Sequence, residues 1–187
     1  MAAISLKALL DANVLFPTVM REILLGVAKT GRYQPQWSAR ILDEWLHAAG
    51  KAGAAHRVAA QGEVALLNAR WRDAAVAPDP ALELSLYLPD PGDRHVLAAA
   101  ISGACDLIVT QNLKDFPRKL LAEHSLTAIH PDAFLSDILR RFPDDVLPVV
   151  DAVRAQAETL SGQPWPLRTL MKKARLPRLG KALDDLV

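Results

Sequence analysis

The sequence of 187 residues has one cysteine, few aromatic residues and almost no net charge. Because Cys105 has no second cysteine to pair with, a disulfide framework within the chain is excluded, and the composition favours a reducing cytoplasm. A charge of +1 with neutral histidines is unlike that of a histone-like or membrane-surface protein. A nucleic-acid partner would therefore have to be bound by a local basic patch.

Long apolar runs and several familiar motifs are also missing from the sequence. No run approaches the about 20 apolar residues that span a bilayer, so we expect no membrane segment. The short apolar stretch at the N-terminus is interrupted by Asp11, which does not fit a secretory signal. There is no phosphate-binding glycine loop, no Gly-x-Ser-x-Gly elbow and no zinc-site spacing among the histidines.

What the sequence does contain is ample apolar material, at 51% of residues, arranged in alternating strands and helices. This alternation predicts an α/β fold in which a parallel β-sheet is flanked by α-helices. The predicted strands are 8–10, 82–86, 106–110 and 126–129. The predicted helices are 18–29, 39–49, 54–75, 94–102 and 117–123, and the segment 33–37 is predicted to be a loop.

After Pro131 the pattern predicts helices only. The sequence therefore predicts two parts, an α/β domain over residues 1–135 and an α-helical C-terminal extension over residues 136–187.

Asp11 directly follows the first apolar strand. Ligands of open α/β sheets bind beyond the carboxyl ends of the strands, so a carboxylate at this position would point into a site. Asp11 and Asn13 could instead serve only to shape the turn into the next helix.

Glu44 is the second candidate acid, and its neighbour Asp43 provides a contrast. On a helix, Glu44 shares a face with the apolar Ile41 and Ala48, whereas Asp43 shares one with Arg40 and His47. A carboxylate that faces inward is costly unless a metal, a buried base or an inward arginine pairs with it.

Asp93 and Asp115 complete the set of candidate acids. Asp93 begins the predicted helix 94–102, where it could be a helix cap, and Asp90 has the same alternative role. Asp115 follows the clearest strand, beside Thr110 and Asn112, which could orient a carboxylate; alternatively, this segment is a polar turn. Several carboxylates without histidine or cysteine partners suit Mg²⁺ or Mn²⁺.

At these residues the chain resembles the PIN-domain family, in particular the VapC-type toxins of prokaryotic toxin–antitoxin pairs. Four segments carry the resemblance, in the family's order, and it covers roughly residues 5 to 131. They are LDANVL at 10–15, LDEW at 42–45, DPGDRHVLAAA at 90–100 and IVTQNLKDF at 108–116.

The resemblance implies a ribonuclease that depends on Mg²⁺ or Mn²⁺, a cognate antitoxin protein and a homodimer. Carried over by position, the catalytic and metal-site acids would be Asp11, Glu44, Asp93 and Asp115, with Asn13, Thr110 and Asn112 as supporting residues. Family members often have a further acid where this chain has Arg94, so Asp90 could share the role of Asp93. The helical extension is longer than in compact members of the family.

A basic cluster in the extension could supply the local patch for RNA. It comprises Arg168, Lys172, Lys173, Arg175, Arg178 and Lys181, of which we expect Lys172, Lys173 and Arg175 to contact phosphates. The alternative is a solvated helix face.

The sequence alone is compatible with two other functions. A haloacid-dehalogenase-type phosphohydrolase also has an aspartate after its first strand, but it needs a second aspartate two residues later, where this chain has Asn13. A non-catalytic module that binds RNA or protein is the other alternative, and a metal-binding assay would distinguish it from the enzyme.

Overall fold

A computed structural model describes residues 6–186 of the chain. Its strands form one parallel sheet in the order β3-β2-β1-β4-β5. The strands are β1 Lys7–Leu10, β2 Gln34–Ser38, β3 Ala75–Val76, β4 Leu107–Val109 and β5 Thr127–Ile129. The predicted α/β fold with a parallel sheet is therefore confirmed.

Helices flank this sheet and continue beyond it as the predicted C-terminal extension. They are α1 Ala12–Leu15, α2 Thr18–Lys29, α3 Ala39–Lys51, α4 Ala54–Arg70, α5 Pro80–Ser85, α6 Arg94–Ser102, α7 Arg118–Ala122, α8 Pro131–Arg141, α9 Pro143–Ser161, α10 Leu167–Lys173 and α11 Pro177–Asp184. Short 3-10 turns lie at Pro91–Asp93 and Leu113–Asp115. Across residues 6–186, no helix has both the length and the apolar character that crossing a bilayer requires.

Strand β1 is the centre of the sheet, and its apolar residues are fully buried because helices cover both faces. The chain winds from β1 through β2 to β3, and then returns to place β4 on the other side of β1. Leu10 at the end of β1 pairs with Val109 at the end of β4. This change of winding direction opens a crevice beyond the two strand ends, where ligands of such sheets bind.

The segment 33–37, predicted to be a loop, instead forms most of β2. The glutamines and Pro35 of this segment gave no strand signal in the sequence, because proline cannot donate a ladder hydrogen bond. Pairing with β1, in which Pro35 lies opposite Ala8, determines the local structure. Gln36 is buried in this strand and accepts a hydrogen bond from the Cys105 thiol, at 3.0 Å.

The prediction of a strand at 82–86 is also wrong, because residues 82–85 lie in helix α5 and Leu86 follows its end. Asp79 caps the helix by accepting a hydrogen bond from the Ala81 amide at 2.9 Å, and Pro80 suits its first turn. The helix predicted over 54–75 ends at Arg70, which leaves room for the two-residue strand β3.

The predicted boundary between the two parts, at 135/136, falls inside the continuous helix α8. Asp132 in this helix is buried, and its two carboxylate oxygens accept hydrogen bonds from the amides of Arg178 and Leu179, at 2.9 and 2.8 Å. Helix α8 thereby caps α11. The apolar residues of the extension join the same core cluster as those of the sheet.

Candidate active site

Asp11 lies at the carboxyl end of β1, beside Thr110 at the end of β4. Its Oδ2 atom accepts hydrogen bonds from Thr110 Oγ1, at 2.7 Å, and from Asn13 Nδ2, at 2.6 Å. The Gln111 amide donates to Asn13 Oδ1 at 3.0 Å and fixes the orientation of the asparagine. The predicted supporting residues Asn13 and Thr110 thus hold the buried Asp11 carboxylate in one orientation.

A second group of acids lies where α6 begins and where the chain leaves β4. One carboxylate oxygen each of Asp90, Asp93 and Asp115 lies within 4.8 Å of the other two. The Asp90 carboxylate is fixed by the Gly92 amide, at 2.8 Å, and Asn112 Nδ2 donates to Asp115 Oδ2. The structure therefore groups Asp90 with Asp93 and Asp115, two of the four acids that the sequence singled out.

The electrostatics of these acids reflect crowding of like charge in a partly dehydrated crevice. Burial raises the pKa of Asp11 above its usual value. Burial also raises the pKa of Asp93 to about 6, with further contributions from the negative charges of Asp11, Asp115 and Asp90. An oxygen-only set of this charge is the donor set that Mg²⁺ and Mn²⁺ prefer, so the residues present fit a divalent cation.

Glu44 approaches the crevice from helix α3. Its side chain was expected to face inward, but it is 43% exposed, because the part of the helix face that it shares with Ala48 lines the crevice. Glu44 Oε1 lies 2.7 Å from Nε2 of His95, although this approach lacks the angles of a hydrogen bond. Asp43 lies outside the crevice, as predicted, and lines a neighbouring surface depression.

We call this crevice the acidic cavity; its volume is about 570 Å³. Asp11, Glu44 and Asp93 line it, and so do Lys173 and Arg175 of the extension, which we call the basic wall. Arg175 Nη1 donates to Gln111 Oε1 at 3.2 Å, which joins the extension to the end of β4. The neighbouring Lys172 is exposed and does not line the cavity.

Two residues of the site were not among the sequence candidates. Gln111 lies between Thr110 and Asn112, and its position at the strand end was a sufficient signal to include it. His95 was interpreted as structural; it is 1% exposed, but it lies against Glu44. No sequence signal placed His95 against Glu44, because the two residues are far apart in the chain and meet only once it folds.

The sheet order and the acids at its switch point define an α/β protein with an acidic ligand site. A family model described as "PIN domain" matches residues 7–114, more than half of the chain. The chain therefore belongs to the PIN-domain family, as the sequence resemblance indicated.

A curated relative also matches part of the chain. The Mycobacterium tuberculosis (strain ATCC 25618 / H37Rv) protein named "Putative ribonuclease VapC50" is 45% identical over 64 residues. This match covers 32% of the present chain and 38% of the relative. The search of solved structures found no match.

Proposed function

We propose that this protein is a metal-dependent endoribonuclease and the toxin component of a type II, VapBC-like toxin–antitoxin system. The observation that carries the proposal is the acidic cavity itself, in which acids from three segments lie beside two cations of the extension. Membership of the PIN-domain family supports the nuclease, and the name of the mycobacterial relative supports RNA as the substrate.

The proposed cation is Mg²⁺ or Mn²⁺, and its ligands would be Asp11, Asp93 and Asp115. Asp90 would assist Asp93 in binding it, and Glu44 would complete the set. Crowded carboxylates that repel one another at neutral pH favour a cation between them, which is what the raised pKa of Asp93 indicates. Such a cation supplies charge neutralisation at a phosphate and makes a nearby water more acidic.

The side chains then divide the chemistry between them. Glu44, held against the buried His95, is placed to take the proton of the attacking water. The water oxygen attacks phosphorus in line, the bond from phosphorus to the 3′ oxygen breaks, and that oxygen is protonated. The products are a 5′-phosphate and a 3′-hydroxyl.

The basic wall and the partners complete the proposal. Lys173 and Arg175 would bind the RNA backbone beside the acids, and Lys172 would contribute from outside the cavity. A cognate antitoxin would bind the chain and inhibit it, two copies would form a homodimer, and the protein would act in the cytoplasm.

The two alternative functions differ in what they require of this site. A haloacid-dehalogenase-type enzyme needs a free acid at position 13, but the Asn13 amide is bonded to Asp11 and to Thr110. A non-catalytic RNA- or protein-binding module would need neither the cation nor Glu44.

The test compares Glu44→Gln with Asp43→Asn in an RNA cleavage assay. With Mg²⁺ or Mn²⁺ present, we expect Glu44→Gln to lower the rate by about 10²–10⁴-fold, since it removes the proton acceptor, whereas Asp43→Asn should be nearly silent. EDTA should abolish cleavage by the wild-type chain. Equal losses in the two variants would contradict the role of Glu44, and binding of RNA without cleavage under any divalent cation would favour the non-catalytic module.

A further inference from the structure

A second cavity, of about 400 Å³, adjoins the acidic cavity and differs from it in chemistry. The two share the wall residues Pro17, Lys173 and Ala174, so they are neighbouring parts of one groove. The rest of the second cavity is mainly apolar, and we call it the apolar cavity. Its apolar lining includes Val19, Met20, Ala157, Leu160, Trp165 and Leu170.

The apolar cavity exists because the extension packs against the sheet domain. Helix α2 supplies one wall, and the end of α9 and helix α10 supply the other. Gly162 ends α9 in a left-handed conformation, with φ of 67°, and turns the chain back towards α10. The Trp165 amide donates to Glu158 Oε1 and its indole donates to Ser161 Oγ, both at 2.9 Å, which fixes the ring in the wall.

Lys173 lies at the passage between the two cavities. Its Nζ atom is 4.6 Å from the centre of the Trp165 ring, within the range of a cation–π interaction. The groove therefore presents carboxylates, then a fixed ammonium group and then an apolar, aromatic-lined hollow. A nucleotide chain presents complementary features, because each charged phosphate is followed by a base with an apolar face.

We propose that the apolar cavity binds a nucleobase of the RNA strand whose scissile phosphate lies in the acidic cavity, an inference that rests on the proposed function. Lys173 binds the phosphate that links the two nucleotides, and the apolar lining receives the base next to it. Contacts of this kind tolerate sequence variation, because every base has an apolar face. The ammonium at the passage favours a polyanion over an apolar peptide segment as the occupant.

The experiment compares two probes of equal length and charge: a short random single-stranded RNA and the corresponding abasic ribose-phosphate chain. All proteins carry Asp11→Asn, so that cleavage does not disturb the binding measurement. Leu160→Ser removes apolar surface at the rim, where the side chain is 78% exposed, and Ala157→Phe fills the cavity. Leu84→Ser is the matched control, since this leucine is 81% exposed on α5 and lies outside both cavities.

We expect the random RNA to bind about tenfold more tightly than the abasic chain, a size typical of one stacked base. Leu160→Ser and Ala157→Phe should remove several-fold of this preference, while the affinity for the abasic chain stays the same. Leu84→Ser should change neither affinity.

Equal affinities of the protein for the two probes would overturn the inference, and so would equal losses of affinity for both probes in the variants. Variants that bind RNA as before but no longer bind a protein partner would overturn it too. Cleavage by the chain without Asp11→Asn is measured in parallel. Cleavage without base preference refutes the subsite alone, whereas base preference without cleavage refutes the proposed nuclease alone.

Discussion

Asp132 is a buried carboxylate whose role is structural rather than chemical. It accepts two backbone hydrogen bonds from the first turn of α11, which has no capping side chain of its own. Hydrogen bonds to charged groups are stronger than those between neutral groups, and loss of a buried acceptor leaves the donors unsatisfied.

We therefore expect Asp132→Ala to lower the free energy of unfolding by about 1–3 kcal/mol, measured by urea denaturation. Asp137→Asn is the control on the same helix, because this half-exposed residue forms a surface ion pair with the exposed Arg140. A small effect of Asp132→Ala, equal to that of the control, would show that α11 does not depend on this cap.

Asp93 gives a pH dependence with a definite sign in metal-free protein. Its folded pKa of about 6 lies above the usual value of 3.8, so between these values the folded state binds a proton that the unfolded state has released. Stability from this group is therefore fully present at low pH and is lost as the pH rises through 6.

In EDTA, we expect the melting temperature of the wild-type chain to fall between pH 5 and pH 7.5 by more than that of Asp93→Asn. Asp43→Asn, outside the cavity, should behave as the wild type does. Mg²⁺ should reverse the loss at pH 7.5, because it binds the ionised acids of the folded state. A pH dependence that Asp93→Asn leaves unchanged would refute this assignment.

At the scale of elements, helices α2 and α9 show how the extension is joined to the sheet domain. They pack so closely at Gly26 that an added Cβ atom would overlap the Val149 side chain. In the exposed middle of α4, by contrast, nothing lies within 4 Å of a Cβ added at Gly62. The same substitution should therefore have opposite effects at the two glycines.

We expect Gly62→Ala to raise the free energy of unfolding by about 0.5–1 kcal/mol, the usual gain of alanine over glycine inside a helix. Gly26→Ala should lower it, because overlap with Val149 outweighs the same gain. Thermal unfolding of the two variants beside the wild type measures both changes. Stabilisation by Gly26→Ala would show that α9 can move away from α2 at little cost.

Elements with strong local signals were predictable, and those defined by pairing were not. Helix α6 and strand β4 were placed closely, because their apolar runs are bounded by Asp93 and Gly103 and by Thr110. Strand β2 was missed because its residues become a strand only through pairing with β1. The alternation of leucines at 82–86 suggested a strand, but the cap at Asp79 started a helix.

At the scale of the whole molecule, the net charge is close to zero, although acidic and basic side chains are concentrated in one groove. The sequence singled out Lys172, Lys173 and Arg175 within its basic cluster, and the last two line the acidic cavity. Lys172 and Lys173 are adjacent on α10, and only the folded position of this helix decides that Lys173 lines the cavity. This pair allows a test of the RNA contact.

In an Asp11→Asn background, we expect Lys173→Ala to weaken binding of single-stranded RNA and to flatten its salt dependence by about 0.7 in the log–log slope, the value for one phosphate contact. Lys172→Ala should have a smaller effect on both. Divalent-metal binding, measured by calorimetry, should not distinguish the two variants. Identical slopes for all three proteins would assign these lysines to solubility or to antitoxin contact.

The location of the site was more predictable than its composition. Asp11, Asp93 and Asp115 follow from strand ends and a helix start, which sequence patterns mark well. The partner of Glu44 could not be predicted, because His95 meets it through a contact between distant segments. Of the three basic residues that the sequence singled out, Lys173 and Arg175 line the cavity. The division at 135/136 was drawn from a change in pattern, yet α8 runs through it and contributes to one shared core.

The order of the chain has a consequence for how the cavity is completed during synthesis. The acids lie between residues 11 and 115, whereas the basic wall comes from residues 173 and 175. Since a nascent chain emerges from its N-terminal end, the ribosome makes every acid well before it makes the wall that faces them. A chain interrupted between α8 and α10 would carry the full set of acids but neither Lys173 nor Arg175, and we expect it to repel an RNA strand.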